Sequence, residues 1–219
     1  MHTLLLRLAA PMQSWGVESR FTVRDTGREP SKSGVVGLLC AALGRPRHEP
    51  LNDLAALRMG VRVDREGRLE MDYHTAKDVF KANGGIKETE VSRRYYLADA
   101  AFLVGLEGDD DALPLLRRLH AALRDPVWPL YLGRKAFVPG APVWLEDGLQ
   151  EGQSLLDALA TYPYLGRGDP PETVRLVFEH PEGEIVRPDT PISFAERRFA
   201  PRRVRVQIVP WAKVKEVMP

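Results

Sequence analysis

The chain has a single cysteine, Cys40, among its 219 residues. One thiol cannot form a disulfide within the chain. Cys40 lies on the apolar side of a predicted helix, where cysteine packs as a small buried side chain more often than it acts as a nucleophile.

Long apolar runs are also missing. None reaches the roughly 18 residues that a bilayer-spanning helix needs. The opening MHTLLLRLAAPMQ is too short and too weakly basic for a secretory signal. We therefore expect a cytoplasmic protein with no membrane partner.

The net charge is low, because 31 basic residues against 30 acidic ones leave a formal charge of +1. A nucleic-acid partner would have to be bound by local clusters of basic residues and not by overall charge. One such cluster lies in residues 196–216, where seven basic residues accompany only two acidic ones.

Motifs for metals, cofactors and nucleophiles are absent from the sequence. The five histidines show no paired ligand spacing and there is no cysteine cluster, so we expect no metal site. The phosphate loop G-x-x-x-x-G-K-[ST], the dinucleotide turn G-x-G-x-x-G and the nucleophile elbow G-x-S-x-G do not occur. We expect no cofactor.

Apolar periodicity over residues 1–125 predicts the order strand, helix, two strands, a further strand and a helix. This order is typical of an α+β, ferredoxin-like domain, the layout that RRM-type RNA binders use. The predicted strands are His2–Ala9, Met59–Asp64, Leu69–His74 and Tyr95–Leu106, and the predicted helices are Lys32–Leu43, Leu51–Leu57 and Asp109–Leu123.

Two further segments have their own character. Residues 75–92 are polar and centred on Asn83-Gly84-Gly85, which predicts a projecting β-hairpin inserted in the first domain. Residues 126–219 are broken by prolines and carry short strand patterns, which predict a smaller β-rich C-terminal region. These strands are predicted at Thr173–Glu179, Glu184–Arg187 and Val204–Val209.

The stretch PSKSGVVGLLCAALG at residues 30–44 places an apolar helix behind a polar start. Its first turn offers unpaired N–H groups, hydroxyls and a lysine, which together suit an anion such as phosphate. The alternative is a capped core helix whose lysine is solvated. The candidate anion-binding residues are Ser31, Lys32, Ser33 and Gly34, together with Arg20, Arg24 and Arg28 just before them.

Aromatic and basic residues alternate in three places, a mixture that suits single-stranded RNA because bases stack on aromatic rings while cations hold phosphates. A metal-free ribonuclease site at Tyr73, His74 and Lys77 is the catalytic alternative. The three places are Tyr73-His74 with Lys77, Arg93-Arg94-Tyr95-Tyr96, and residues 131–135 with Arg134 and Lys135.

Five stretches taken together resemble the CasD family, the RAMP-superfamily subunit of type I-E CRISPR Cascade complexes. They follow one another in order over roughly the first 140 residues. They are LLLRLAAPMQSWG at 4–16, PSKSGVVGLLCAALG at 30–44, DYHTAKD at 72–78, RRYYLADAAFLVGL at 93–106 and PLYLGRKAFVP at 129–139.

The resemblance implies a modified RRM fold in which the insert 75–92 acts as a thumb over the guide RNA. It also implies binding without turnover: the family holds the 5′ handle of the CRISPR RNA while another subunit cuts the precursor. The implied partners are this handle, the adjacent backbone subunit and the large PAM-recognising subunit, with target DNA contacted only indirectly. Lys32 is the first candidate for a phosphate contact.

Overall fold

The computed structural model describes residues 1–17 and 22–211 as a mixed α+β fold, in which strands outnumber helices. The helices are α1 (Lys32–Leu43), α2 (Asn52–Ala56), α3 (Leu113–Arg124) and α4 (Leu155–Thr161). The strands are β1 (His2–Ala9), β2 (Met12–Gln13), β3 (Val23–Arg24), β4 (Arg58–Arg65), β5 (Arg68–Phe80), β6 (Ile86–Ala98), β7 (Ala101–Gly108), β8 (Leu149–Glu151), β9 (Thr173–Glu179), β10 (Ile185–Ser193) and β11 (Arg198–Pro210).

A seven-stranded sheet with the order β10-β11-β9-β4-β7-β1-β8 forms the centre of the molecule. Its neighbouring strands pair antiparallel. A second, smaller sheet has the order β2-β6-β3, with β5 paired to β6. None of the helices within 1–17 and 22–211 has the length and hydropathy that a bilayer span requires.

Strand β1 is buried on both faces of the large sheet. Leu4, Leu6 and Leu8 enter the core that contains residues of α1 and α3, whereas Leu5 enters the core beneath α4. A strand buried on both faces reads as a nearly continuous apolar run, which is what HTLLLRLA shows. The predicted bounds of β1 are confirmed.

Helix α1 also has its predicted bounds. The Ser31 hydroxyl accepts a hydrogen bond from the Gly34 N–H at 3.3 Å and so caps the first turn. The helix ends at Gly44, whose φ of 69° is a left-handed conformation that glycine adopts without steric strain.

One predicted strand is interrupted in the structure, and one predicted helix begins later than expected. The strand predicted at Tyr95–Leu106 is divided, because Asp99 has φ of 57° in the turn between β6 and β7. The helix predicted from Asp109 begins at Leu113, since the Asp109 carboxylate accepts a hydrogen bond from the Ala112 N–H at 3.1 Å and holds a turn there.

The β-hairpin β5–β6 is longer than the predicted insert 75–92, with 13 residues in each strand. Strand β9 has its predicted bounds and pairs with β4, so the large sheet is continuous across the expected boundary at residue 126. Strands β10 and β11 are longer than the patterns at Glu184–Arg187 and Val204–Val209 indicate.

Candidate nucleic-acid interface

Strand pairing brings two predicted arginines together at the base of the hairpin. Strand β3 pairs in parallel with β6 and places Arg24 opposite Arg94, while β5 places Asp72 opposite Arg94 from the other side. Directly paired residues project from the same face of a sheet, so these three side chains share a face.

Arg134 joins this face from the loop after α3. Its Nη2 donates hydrogen bonds to the carbonyl oxygens of Tyr95 at 2.8 Å and Arg24 at 3.3 Å. Burial lowers the pKa of Arg134 and the positive charge of Arg94 lowers it further, while the carboxylates of Asp72 and Asp25 raise it in part. We call Arg24, Arg94 and Arg134 the arginine cluster, a site where a bound anion would relieve like-charge repulsion.

A groove beside α1 continues from the arginine cluster. It consists of two cavities of about 300 and 400 Å³ that share Ser33, Gly34, Arg47, Gly133 and Phe194 in their walls. We call it the α1 groove. The smaller cavity is also lined by Arg24, Ser31 and Arg134, and the larger one by Lys135.

Lys32 does not line this groove, which corrects the prediction that it is the first phosphate contact. The residue is only 2% exposed, and its Nζ lies 2.9 Å from a carboxylate oxygen of Glu179. Burial lowers the pKa of Lys32, while the contact with Glu179 raises it. Lys32 therefore ties α1 to β9 and has no exposed ammonium to offer a ligand.

The N-terminus of α1 is likewise occupied by the protein itself. Asp189 of β10 accepts a hydrogen bond from the Lys32 N–H at 2.8 Å, and Ser31 caps the Gly34 N–H. The predicted phosphate position at the helix start thus holds a carboxylate of the same chain.

Gly34 is required by the packing of α1 against Trp15. A Cβ there would lie 2.9 Å from Cε3 of Trp15, whose ring is buried. Gly133 is similarly restricted, because it has φ of 90° and a Cβ would lie 1.7 Å from the Ser14 carbonyl oxygen. The loop that carries Arg134 and Lys135 therefore lies directly against the chain after β2.

The set Tyr73, His74 and Lys77 is divided between the two faces of β5. Tyr73 lies opposite Arg93 and His74 opposite Ser92, so the two neighbouring side chains project in opposite directions. Tyr73 is 61% exposed. The strand geometry places Tyr73 and Lys77 on the same face, together with Arg93, and His74 on the other.

Arg28 is not among the residues that line the groove. Arg28 is exposed in the loop before α1, where its carbonyl oxygen accepts a hydrogen bond from Arg175 at 3.2 Å. Arg20 lies outside the described residues.

Sequence reasoning missed several groove residues: Arg47, Trp128, Tyr131 and Phe194. Tyr131 belongs to a stretch whose aromatic and basic character was visible, so that signal could have identified it. Phe194 reaches the groove from β10–β11, more than 150 residues after α1 in the chain, and no local pattern indicates such a contact.

Comparison with known proteins is decisive for the family. Residues 3–205 match the model of the family described as CRISPR-associated protein (Cas_Cas5). The chain belongs to this Cas5 family. It is 35% identical over 177 residues to the CRISPR system Cascade subunit CasD of Escherichia coli (strain K12), covering 74% of this chain and 78% of that protein.

Two solved structures are similar to this Cas5 chain along nearly its whole length. One, titled "Crystal structure of Cas protein", has a TM-score of 0.80 and 51% identity, with 96% of each chain covered. The other, titled "CRISPR RNA-guided surveillance complex", has a TM-score of 0.79 and 35% identity, with 95% of this chain and 90% of that chain covered.

Proposed function

We propose that this Cas5 chain is the CRISPR RNA-binding subunit of a type I-E Cascade complex that caps the repeat-derived 5′ handle of the guide RNA. The observation that carries the proposal is the convergence of Arg24, Arg94 and Arg134 beside the α1 groove. The likeness to a Cascade subunit and to a chain of an RNA-guided surveillance complex supports it.

The chemistry of the arginine cluster suits an RNA backbone. Guanidinium groups bind phosphate through paired hydrogen bonds and stay charged at every physiological pH. Because the whole chain has a formal charge of only +1, this concentration of positive charge is local. It would position the RNA without reading its sequence.

We further propose a ferredoxin-like core of the RRM type. The order β4-β7-β1-β8 with antiparallel neighbours supports it, as does the common core of α1 and α3 against one face of those strands. In this interpretation, β9 to β11 belong to the smaller C-terminal region of residues 126–219 and extend the same sheet beyond β4.

The hairpin β5–β6 is proposed as the thumb that lies over the guide RNA. Phe80 and Ile86 pair at its tip and are 80% and 59% exposed, so they do not pack on the base of the hairpin. Exposed apolar residues at this position support docking against the adjacent backbone subunit or the large subunit.

The same geometry favours a non-catalytic subunit over a metal-independent endoribonuclease. A base and an acid must reach one ribose-phosphate from the same side. His74 projects from the face of β5 opposite to that of Tyr73 and Lys77, which separates the three groups.

A binding and cleavage experiment tests the proposal. Purified protein is titrated with labelled repeat RNA in EDTA at several salt concentrations. We expect binding that weakens with salt, by a slope of about −0.7 per contacted phosphate, and intact RNA. RNA cleavage that His74→Ala abolishes would establish the nuclease instead, and a complete lack of affinity would indicate a protein-only assembly role.

A further inference from the structure

The larger cavity of the α1 groove has the size and lining of a nucleotide pocket. It measures about 400 Å³ and lies between α1 and the loop of residues 128–135. We propose that it holds one unstacked nucleotide of the bound RNA, with the base inside and the phosphate at the rim. This inference rests on the proposed RNA-binding function and extends it to a single base position.

The walls of the pocket suit a flat ring. Gly34, Gly37 and Ala41 lie along one side of α1 and line the pocket without large side chains. Trp128 and Tyr131 line it from the loop and are 45% and 37% exposed. Bases stack on such exposed aromatic rings with little dependence on sequence.

The aromatic wall is held in place before any ligand binds. The Trp128 N–H donates to the Ala41 carbonyl oxygen at 3.1 Å, and the Val127 N–H donates to that of Ala42 at 3.0 Å. These hydrogen bonds join the start of the loop to the last turns of α1, so binding need not order the loop.

The rim carries positive charge. Arg47 and Lys135 are exposed where they border the pocket, and the described lining includes no carboxylate. Arg45 also borders the pocket, but both ends of its guanidinium are bound by Asp53 at 2.7 Å. Arg47 and Lys135 are therefore the residues placed to bind the phosphate.

Gly37 keeps the pocket open although packing does not require it. A Cβ at Gly37 would meet only Cζ of Phe194, at an ordinary 3.7 Å, whereas a Cβ at Gly34 would collide with Trp15. Glycine inside a helix is less favourable than alanine. Local stability alone would thus favour a side chain here, and its absence leaves space that a base can fill.

A plug variant tests the pocket directly. Gly37→Leu extends a side chain into the cavity, so we expect a Tm equal to or above that of the native chain and an RNA affinity lowered about tenfold, the loss of one stacked base. Ala121→Leu on the exposed side of α3 is the matched control and should leave affinity unchanged. Unchanged affinity in Gly37→Leu overturns the inference.

Abasic RNA tests the same pocket without the risk of misfolding. A set of repeat RNAs, each lacking one base, is titrated against the native chain and against Tyr131→Ala. We expect one position where the abasic change weakens native binding about tenfold but has no further effect on Tyr131→Ala. If the affinities across the abasic set change in the same way for both proteins, the inference about the pocket is wrong. If the native chain binds no RNA at all, the proposed function is wrong as well.

Discussion

The carboxylate of Asp189 accepts a hydrogen bond from the backbone N–H of Lys32, 2.8 Å away, although 157 positions separate the two residues. Arg202 holds Asp189 in place with hydrogen bonds of 2.6 and 3.0 Å. The C-terminal strands therefore complete the N-terminus of α1, and the helix dipole stabilises a carboxylate of the chain itself. In the proposed function, the positive charge that binds RNA therefore comes from the arginine cluster and the groove rim and not from Lys32.

Lys32→Ala should reduce stability and not RNA contact. It removes a buried cation from the carboxylate of Glu179, a change that costs about 3 kcal/mol when one partner of a buried pair is lost. Urea unfolding measures this loss, and titrations of repeat RNA measure the salt slope, which we expect to stay unchanged. Lys135→Ala, at the exposed rim, should leave the free energy of unfolding unchanged and make the salt slope flatter. A flatter salt slope in Lys32→Ala, together with an unchanged free energy of unfolding, would show that Lys32 contacts a phosphate.

Arg134→Ala should weaken RNA binding because it removes one guanidinium from the arginine cluster and the hydrogen bonds to Tyr95 and Arg24. We expect a salt slope smaller in magnitude by about one unit. Arg134→Lys should keep the slope but bind more weakly than the native chain, because lysine cannot reproduce the guanidinium geometry. The control is Arg118→Ala on the exposed side of α3; an equal effect there would rule out a specific cluster.

Asp53→Asn should lower stability only while the aspartate is ionised. The hydrogen bond from Arg45 holds the pKa of Asp53 below its usual value. A carboxylate with a lowered pKa stabilises the fold above its unfolded-state pKa, and this contribution is lost as pH falls through the folded-state value. The Tm difference between native and variant should be largest near pH 7 and shrink below about pH 4. A difference that does not depend on pH would contradict the ion pair.

Replacing Phe80 and Ile86 together by serine should disturb assembly and leave the fold intact. Both side chains are exposed at the hairpin tip, so the unfolding free energy should change by no more than about 0.5 kcal/mol. Co-purification of the tagged chain with its complex measures docking and should fall. Ile208→Ser, which changes an equally exposed apolar residue on β11, is the control. Normal assembly of the double variant would exclude the tip as a contact.

The sequence alone determined those elements whose local patterns agree with their burial. Strand β1 has its predicted bounds because its apolar run indicates one buried strand. Helix α1 has its predicted bounds because its apolar periodicity, its N-terminal cap and its terminal glycine all indicate the same helix. The five family stretches likewise lie in the part of the chain that forms the groove and the hairpin, and the family they indicated is confirmed.

Only the tertiary structure decided which charges are available to a ligand. The sequence made Lys32 the first candidate for a phosphate contact and Arg134 one of several others. In the structure, Glu179 and Asp189 come from distant strands and bury Lys32, while β3–β6 pairing places Arg24 and Arg94 beside Arg134. Strand geometry also placed Tyr73 and His74 on opposite faces. Long-range pairing set the burial and the partners of each charge, and local sequence carries no record of either.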